Sequence, residues 1–372
     1  MVPLAGFGSP RRPERIRIMG CKLSKAPPTK DPMLTHTVVQ KAEGPSGTVE
    51  VARGGTVFSA AFAPDGTRFI VGGKDQNVAI CDTTSGEVLV ELVDYFGNVH
   101  AVAFSPDGAR VIVSSETTET AVICDATSGE SLVKMKHGDR TAAFSPDGAR
   151  VIIGGTTDIF SKKKNGNESN ARICDAKGGK VLVELGHECC NNTAVFSPDG
   201  GRVMIGTHKR AVICDATSGK VLVELECRDP NGYETSVLAA AFSRDGARVI
   251  FGGNNYKAVI CDAMTGDVLT EIERNVVIRA VGFSPDGTRV IIGTGGARDD
   301  NPRLPKKLPL HEEVAICDAR SGNVLREMEG FWNVNAAAFS PDGARVIVVD
   351  DNGKLMICGD PTAAAASNIE LS

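Results

Sequence analysis

The chain has 372 residues, 42% hydrophobic and 23% charged, a balance that suits a globular protein with a sizeable core. Its formal net charge of −5 gives no overall attraction to a nucleic-acid backbone. No apolar run approaches the ~18 residues of a membrane-spanning helix.

Residues 1–45 match nothing later in the chain and are rich in Pro, Gly and basic side chains, so a disordered tail is expected. Inside it, Met19-Gly20-Cys21-Lys22-Leu23-Ser24-Lys25 fits the N-myristoylation pattern. Translation beginning at Met19 would expose Gly20 for acylation and place Cys21 for palmitoylation. One acyl chain holds a membrane only marginally, so Cys21 or the nearby Lys22, Lys25 and Lys30 would supply the second anchor. The rival readings are a chance match in a disordered tail and an organelle transit peptide built on Arg11, Arg12, Arg15 and Arg17. Pro10, Pro13 and Glu14 oppose the amphipathic helix that a transit peptide requires.

From residue 46 the chain becomes repetitive. The segment A-F-S-P-D-G and its near copies begin at Ala61, Ala103, Ala143, Val195, Ala241, Gly282 and Ala338, the fifth reading A-F-S-R-D-G. Their aspartates are spaced by 42, 40, 52, 46, 41 and 56 residues. A period near forty with four short apolar runs per unit is the pattern of a β-propeller. In the second unit, His100–Ser105 is predicted as the innermost strand and Pro106-Asp107-Gly108 as a tight turn. Arg110–Ser114 and Ala121–Cys124 follow as strands, Asp125–Gly129 as a second turn, and Glu130–Met135 as the outer strand. The near-continuous apolar inner runs fit strands buried on both faces between neighbouring blades.

Two charges recur with the turns. Arg68, Arg110, Arg150, Arg202, Arg248, Arg289 and Arg345 open the second strands; Asp82, Asp125, Asp175, Asp215, Asp262 and Asp318 close the third. Antiparallel pairing brings both to one rim, where a ring of ion pairs and Asp-capped turns is expected. Seven of the eleven cysteines (Cys81, Cys124, Cys174, Cys214, Cys261, Cys317 and Cys358) share one repeat position. On separate blades they are too far apart to pair, so they read as buried thiols in a reducing compartment.

The run V-I-C-D-A-T-S-G followed by A-F-S-P-D-G resembles the WD-repeat propeller family, with Cys-Asp in place of Trp-Asp. The resemblance covers residues 46–361 in seven units. The usual Gly-His pair survives only as Gly186-His187, and the loop Asp before the third strand is clear only at Asp75, so the family's buried polar network is largely absent. Ser46–Val51 (S-G-T-V-E-V) copies the outer-strand segment Ser85–Val90 and is expected to complete blade seven, with Asn368–Leu371 as a weaker rival. The expected fold is all-β: a seven-bladed propeller of four-stranded antiparallel blades, closed by an N-terminal strand and followed by a short tail, 362–372.

The turns after the first and third strands are nearly uniform, whereas the loops after the second and outer strands vary, so function is expected on the variable face. Loops Gly154–Asn170 and Gly293–Glu313 are long and basic, carrying Lys162, Lys163 and Lys164 in one and Lys306 and Lys307 in the other. Tyr95, Phe96, Phe160, Tyr233, Tyr256, Phe331 and Trp332 also fall in variable-face loops and are read as contact residues for a protein or peptide. Their alternative role is to cap the core beneath those loops.

His187, Cys189, Cys190, His208 and Cys227 could share one patch, but their spacing matches no known zinc pattern. No nucleophile elbow, phosphate loop or zinc-protease motif is present. Some propellers are hydrolases or lactonases with a metal on the axis; here only His100, Arg279 and Asn335 are candidates near the inner strands. The leading expectation is a monomeric, non-catalytic, cytoplasmic scaffold. It takes a protein or peptide on its variable face, needs no cofactor, binds no nucleic acid, and is compatible with membrane association through its N-terminus. The propeller hydrolase is the alternative.

Overall fold

A computed structural model describes residues 49–363, apart from 53–54, 75–77, 93, 95, 137, 139, 155–169, 189–192, 229–231, 233, 275 and 296–312. Its strands form seven four-stranded antiparallel sheets, the seven blades of a propeller. In blade two the strands are Val99–Phe104, Arg110–Ser115, Thr120–Asp125 and Ser131–Lys136, in that order from the axis outward. Val111 lies opposite Cys124 and Ile112 opposite Ile123.

Burial explains the composition of each strand. In Arg110–Ser115 every residue after the arginine is buried, because both faces of this strand pack on other blades. Ser131–Lys136 exposes most of its side chains and buries Met135, as an outer strand must. The repeated cysteines Cys81, Cys124, Cys174, Cys214, Cys261, Cys317 and Cys358 are all buried and none forms a disulfide, so they fill the space between blades as small hydrophobes.

The serine-containing turns rest on one local device. The Ser105 hydroxyl donates to the Asp107 carboxylate and accepts from the Arg110 amide, while Asp107 accepts from the Ala109 amide. Gly108 sits at φ 68°, where a side chain is disfavoured. The same contacts recur around Ser145, Ser197, Ser243, Ser284 and Ser340.

The ring closes as the sequence predicts. Val49–Ala52 pairs with Lys354–Gly359 as the outer strand of blade seven, with Val49 opposite Ile357. An N-terminal strand therefore completes the C-terminal blade and covers its edge. The rival segment Asn368–Leu371 lies outside the described residues.

The charged rim departs from expectation. Arg110 and Asp125 are register partners, yet they do not form the ion pair. Asp125 accepts the Thr127 and Ser128 amides of its own turn, so the Asp-capped turn is present. The arginine instead reaches the next blade, where it lies over a phenylalanine ring and donates to a glycine carbonyl. Where it forms an ion pair within its own blade, the partner is the aspartate three residues before it, as in Arg150–Asp147 at 3.8 Å and Arg202–Asp199 at 3.9 Å. The last blade has Gly359 at the Asp position, and Asp360, one residue on, forms a buried ion pair with Arg289 of blade six.

Candidate functional site

The seven inner strands surround a central channel with two different mouths. The uniform-turn mouth is lined by Phe62, Phe242, Phe283 and Phe339 with Pro64, Pro285 and Pro341. The mouth on the variable face opens into a polar cavity of about 950 Å³.

One repeat position builds much of this cavity. Four residues before the repeated phenylalanine stand Phe58, His100, Arg140, Asn192, Leu238, Arg279 and Asn335. Asn192 lies outside the described residues; the other six line the cavity. A second contribution comes from the residue just past the second strand, which antiparallel pairing returns to the same end: Lys74, Glu116 and Asp351.

These side chains form two networks. In blades one to three, His100 stacks on Phe58 with ring centroids 4.5 Å apart and planes 12° from parallel. His100 Nε2 lies 2.6 Å from Glu116 Oε2, and Arg140 Nη2 lies 3.4 Å from Glu116 Oε1. Burial pushes the His100 imidazole below its ordinary range, and the Arg140 charge adds to this against the opposing pull of Glu116. In blades six, seven and one, Arg279 Nη2 donates to Asn335 Oδ1 at 3.1 Å, and Asn335 Nδ2 donates to Asp351 Oδ1 at 2.6 Å and to the Val57 carbonyl at 2.8 Å.

His100, Arg279 and Asn335, expected near the axis from sequence, are on the channel. Lys74, Glu116, Arg140 and Asp351 were not anticipated. The signal that would have found Arg140 is divergence at a single position of an otherwise uniform repeat.

Trp332 is 57% exposed, between the outer strand of blade six and the inner strand of blade seven. Its amide donates to Asp350 and its carbonyl accepts the Asp351 amide, so its backbone is tied to the residue that holds Asn335. Tyr256 is half-buried at φ 62° in the loop after the second strand of blade five. Phe96 and Phe331 depart from expectation: they are only 1% and 4% exposed and pack in the core. Phe96 also accepts the Ser115 hydroxyl at its carbonyl, and Lys354 lies over the Phe331 ring at 4.5 Å. Burial of these two large rings under the loops leaves neither free as a contact anchor. Tyr95, Phe160, Tyr233, Lys162, Lys163, Lys164, Lys306, Lys307, Gly20 and Cys21 lie outside the described residues.

In the weighed metal patch, Cys227 is buried against the Thr235 hydroxyl and His208 Nδ1 contacts Ser236 Oγ at 3.0 Å. Cys189 and Cys190 lie outside the described residues. Among the described residues no three His, Cys, Asp or Glu side chains converge as a metal-binding group. No helix among them is long and apolar enough to cross a membrane.

The architecture is that of a seven-bladed propeller with one uniform and one divergent face. A family model described as WD domain, G-beta repeat matches residues 45–82, a span covering the closing strand and the first three strands of blade one. No curated protein matches the chain. That match and the seven-bladed architecture together support a WD-repeat propeller family for the chain.

Proposed function

We propose that the protein is a non-catalytic scaffold that holds a protein or peptide partner on its variable-loop face, across the mouth of the channel. The observation that carries this reading is the repeat position facing that mouth. It holds five residue types, Phe, His, Arg, Asn and Leu, that differ in charge, polarity and size around the ring, while the turns on the opposite face are nearly uniform. Folding alone accounts for uniform positions; a divergent ring around an open polar cavity supports recognition. WD-repeat propellers are typically interaction scaffolds, which supports the same reading. Trp332 is the exposed aromatic anchor beside the mouth, with Tyr256 on the same face. Tyr95, Tyr233, Phe160 and the basic loops carrying Lys162, Lys163, Lys164, Lys306 and Lys307 would flank it.

The test compares proteins captured from native lysate by wild type and by a folded Trp332→Ala, Tyr233→Ala variant. Capture lost in the variant supports the reading; identical capture sinks it.

The acylation motif adds a membrane tether to this scaffold, and eight buried cysteines among the described residues, none in a disulfide, fit a cytoplasmic setting. Incorporation of an alkyne-myristate that is abolished by Gly20→Ala would support the tether, and incorporation unaffected by that change would contradict it.

A further inference from the structure

Among the described residues the channel mouth carries a charge imbalance that its lining does not resolve. Its lining includes three cations, Lys74, Arg140 and Arg279, and two carboxylates, Glu116 and Asp351. Both carboxylates are engaged within the networks: Glu116 lies against His100 and Arg140, and Asp351 accepts from Asn335. Arg279 meets an amide oxygen, not a carboxylate, and among the described residues neither Arg279 nor Lys74 has an ion-pair partner.

Hydrogen bonding is unbalanced in the same sense. Among the described residues the Arg140 Nε–H and the Thr141 hydroxyl are buried and have no partner, although both residues line the cavity. Thr141 is 3% exposed. A buried donor without an acceptor is destabilising, and an orphaned donor beside a cavity marks the place for an acceptor from outside the chain. An arginine Nε–H can only donate, so the missing group is an acceptor; the unmatched cations require that it be negative. The cavity is much larger than a single small anion needs, and it opens on the face that carries exposed Trp332.

We propose that the channel mouth receives the carboxylate side chains of an acidic peptide segment. Arg140 Nε and Thr141 Oγ1 donate to the first carboxylate, and Lys74 and Arg279 attract the second. This inference rests on the scaffold reading above and names the chemistry of its partner. Arg140 and Thr141 are adjacent, so blade three supplies the donor pair, while blades one and six supply the surrounding field.

The test uses the full chain and a fluorescein-labelled tetraglutamate peptide, read by fluorescence anisotropy, with tetraglutamine and tetralysine of the same design as comparisons. The glutamate peptide is expected to bind at least about tenfold more tightly than either comparison, and to weaken as NaCl rises from about 50 to about 500 mM. Arg140→Gln should weaken it about tenfold or more, and Lys74→Gln, Arg279→Gln and Thr141→Val by about three- to tenfold each. The Lys74 side chain is exposed, so Lys74→Gln tests the field without disturbing the fold. Equal binding of tetraglutamine, an absence of binding, or full binding by the Lys74 and Arg279 variants would overturn the proposal. Free glutarate binding as tightly as the peptide would also overturn it, since the site would then serve a small acid. Failure of the glutamate peptide alongside Trp332-dependent capture would contradict this inference alone; failure of both would remove the scaffold reading too.

Discussion

Arg110 of blade two lies over the ring of Phe144 in blade three, 5.3 Å from its centroid, and donates from Nη2 to the Gly148 carbonyl at 2.9 Å. The same clasp joins Arg68 to Phe104 and Gly108, Arg150 to Phe196 and Gly200, and Arg248 to Phe283 and Gly287. Arg345 closes the circle by donating to Gly66 of blade one at 3.0 Å. Each blade is thereby fastened to the next by a cation that opens its second strand.

Arg110→Ala removes a cation–π contact and a charge-assisted hydrogen bond. It should cost about 1–3 kcal/mol, read as a lower denaturation midpoint. Arg110→Lys keeps the charge but loses the planar fork, so its midpoint should fall between the two. An alanine variant as stable as wild type would remove the clasp from the account.

The junction of blades six and seven has a stronger dependence. Arg289 and Asp360 are both buried, and each neutralises the other. Asp360→Ala leaves the buried guanidinium with the longer carboxylate contact to Asp286 at 3.6 Å, a loss of about 3 kcal/mol. The urea-unfolding midpoint should drop more for this variant than for Arg110→Ala. A smaller drop would show that Asp360 is not what holds Arg289 in place.

Acid should loosen the turns. The Ser105 hydroxyl, the Ala109 amide and the Arg110 charge hold the Asp107 carboxyl below its usual range, and matching groups do the same at Asp147, Asp199, Asp245 and Asp342. The Ser218 hydroxyl and the Ser218 and Thr217 amides bring Asp215 down to about 2. The folded pKa lies below the unfolded one, so this stability is fully present above the usual aspartate value and is lost as pH falls through the folded values. The melting temperature should decline from about pH 4 toward about pH 2, with a shallower decline in a Ser105→Ala variant. A melting temperature independent of pH over that window would contradict the assignment.

The repeated thiols should be inert in the native state. Burial pushes Cys124, Cys174 and Cys214 up to about 11 and Cys261 up to about 12, so each stays protonated at neutral pH. Site-resolved mass spectrometry after iodoacetamide treatment at about pH 8 should find these four almost unlabelled in native protein and fully labelled in urea. Rapid native labelling would mean that the blades open locally.

The fold was legible because it is repeated seven times. Ser46–Val51 could be matched to Ser85–Val90 by inspection, and that match located the closing strand. The partner of Arg110 was not legible in the same way, because pairing along a blade pointed to Asp125 whereas the side chain crosses to Phe144. Inter-blade contacts join residues tens of positions apart, and no local pattern marks them. Phe96 and Phe331 resembled surface aromatics because they sit in variable loops, yet those loops fold back and bury them. Arg140 and Glu116 were missed because the channel mouth is assembled one or two residues per blade, and each contribution looks unremarkable inside its own repeat.

The most direct measurement is site-specific photo-crosslinking in cells, with benzoylphenylalanine placed at Trp332 on the variable face or at Ser128 in a uniform turn. A discrete crosslinked partner is expected from position 332 and none from position 128. A partner crosslinked from 128, with none from 332, would place recognition on the opposite face and contradict the account.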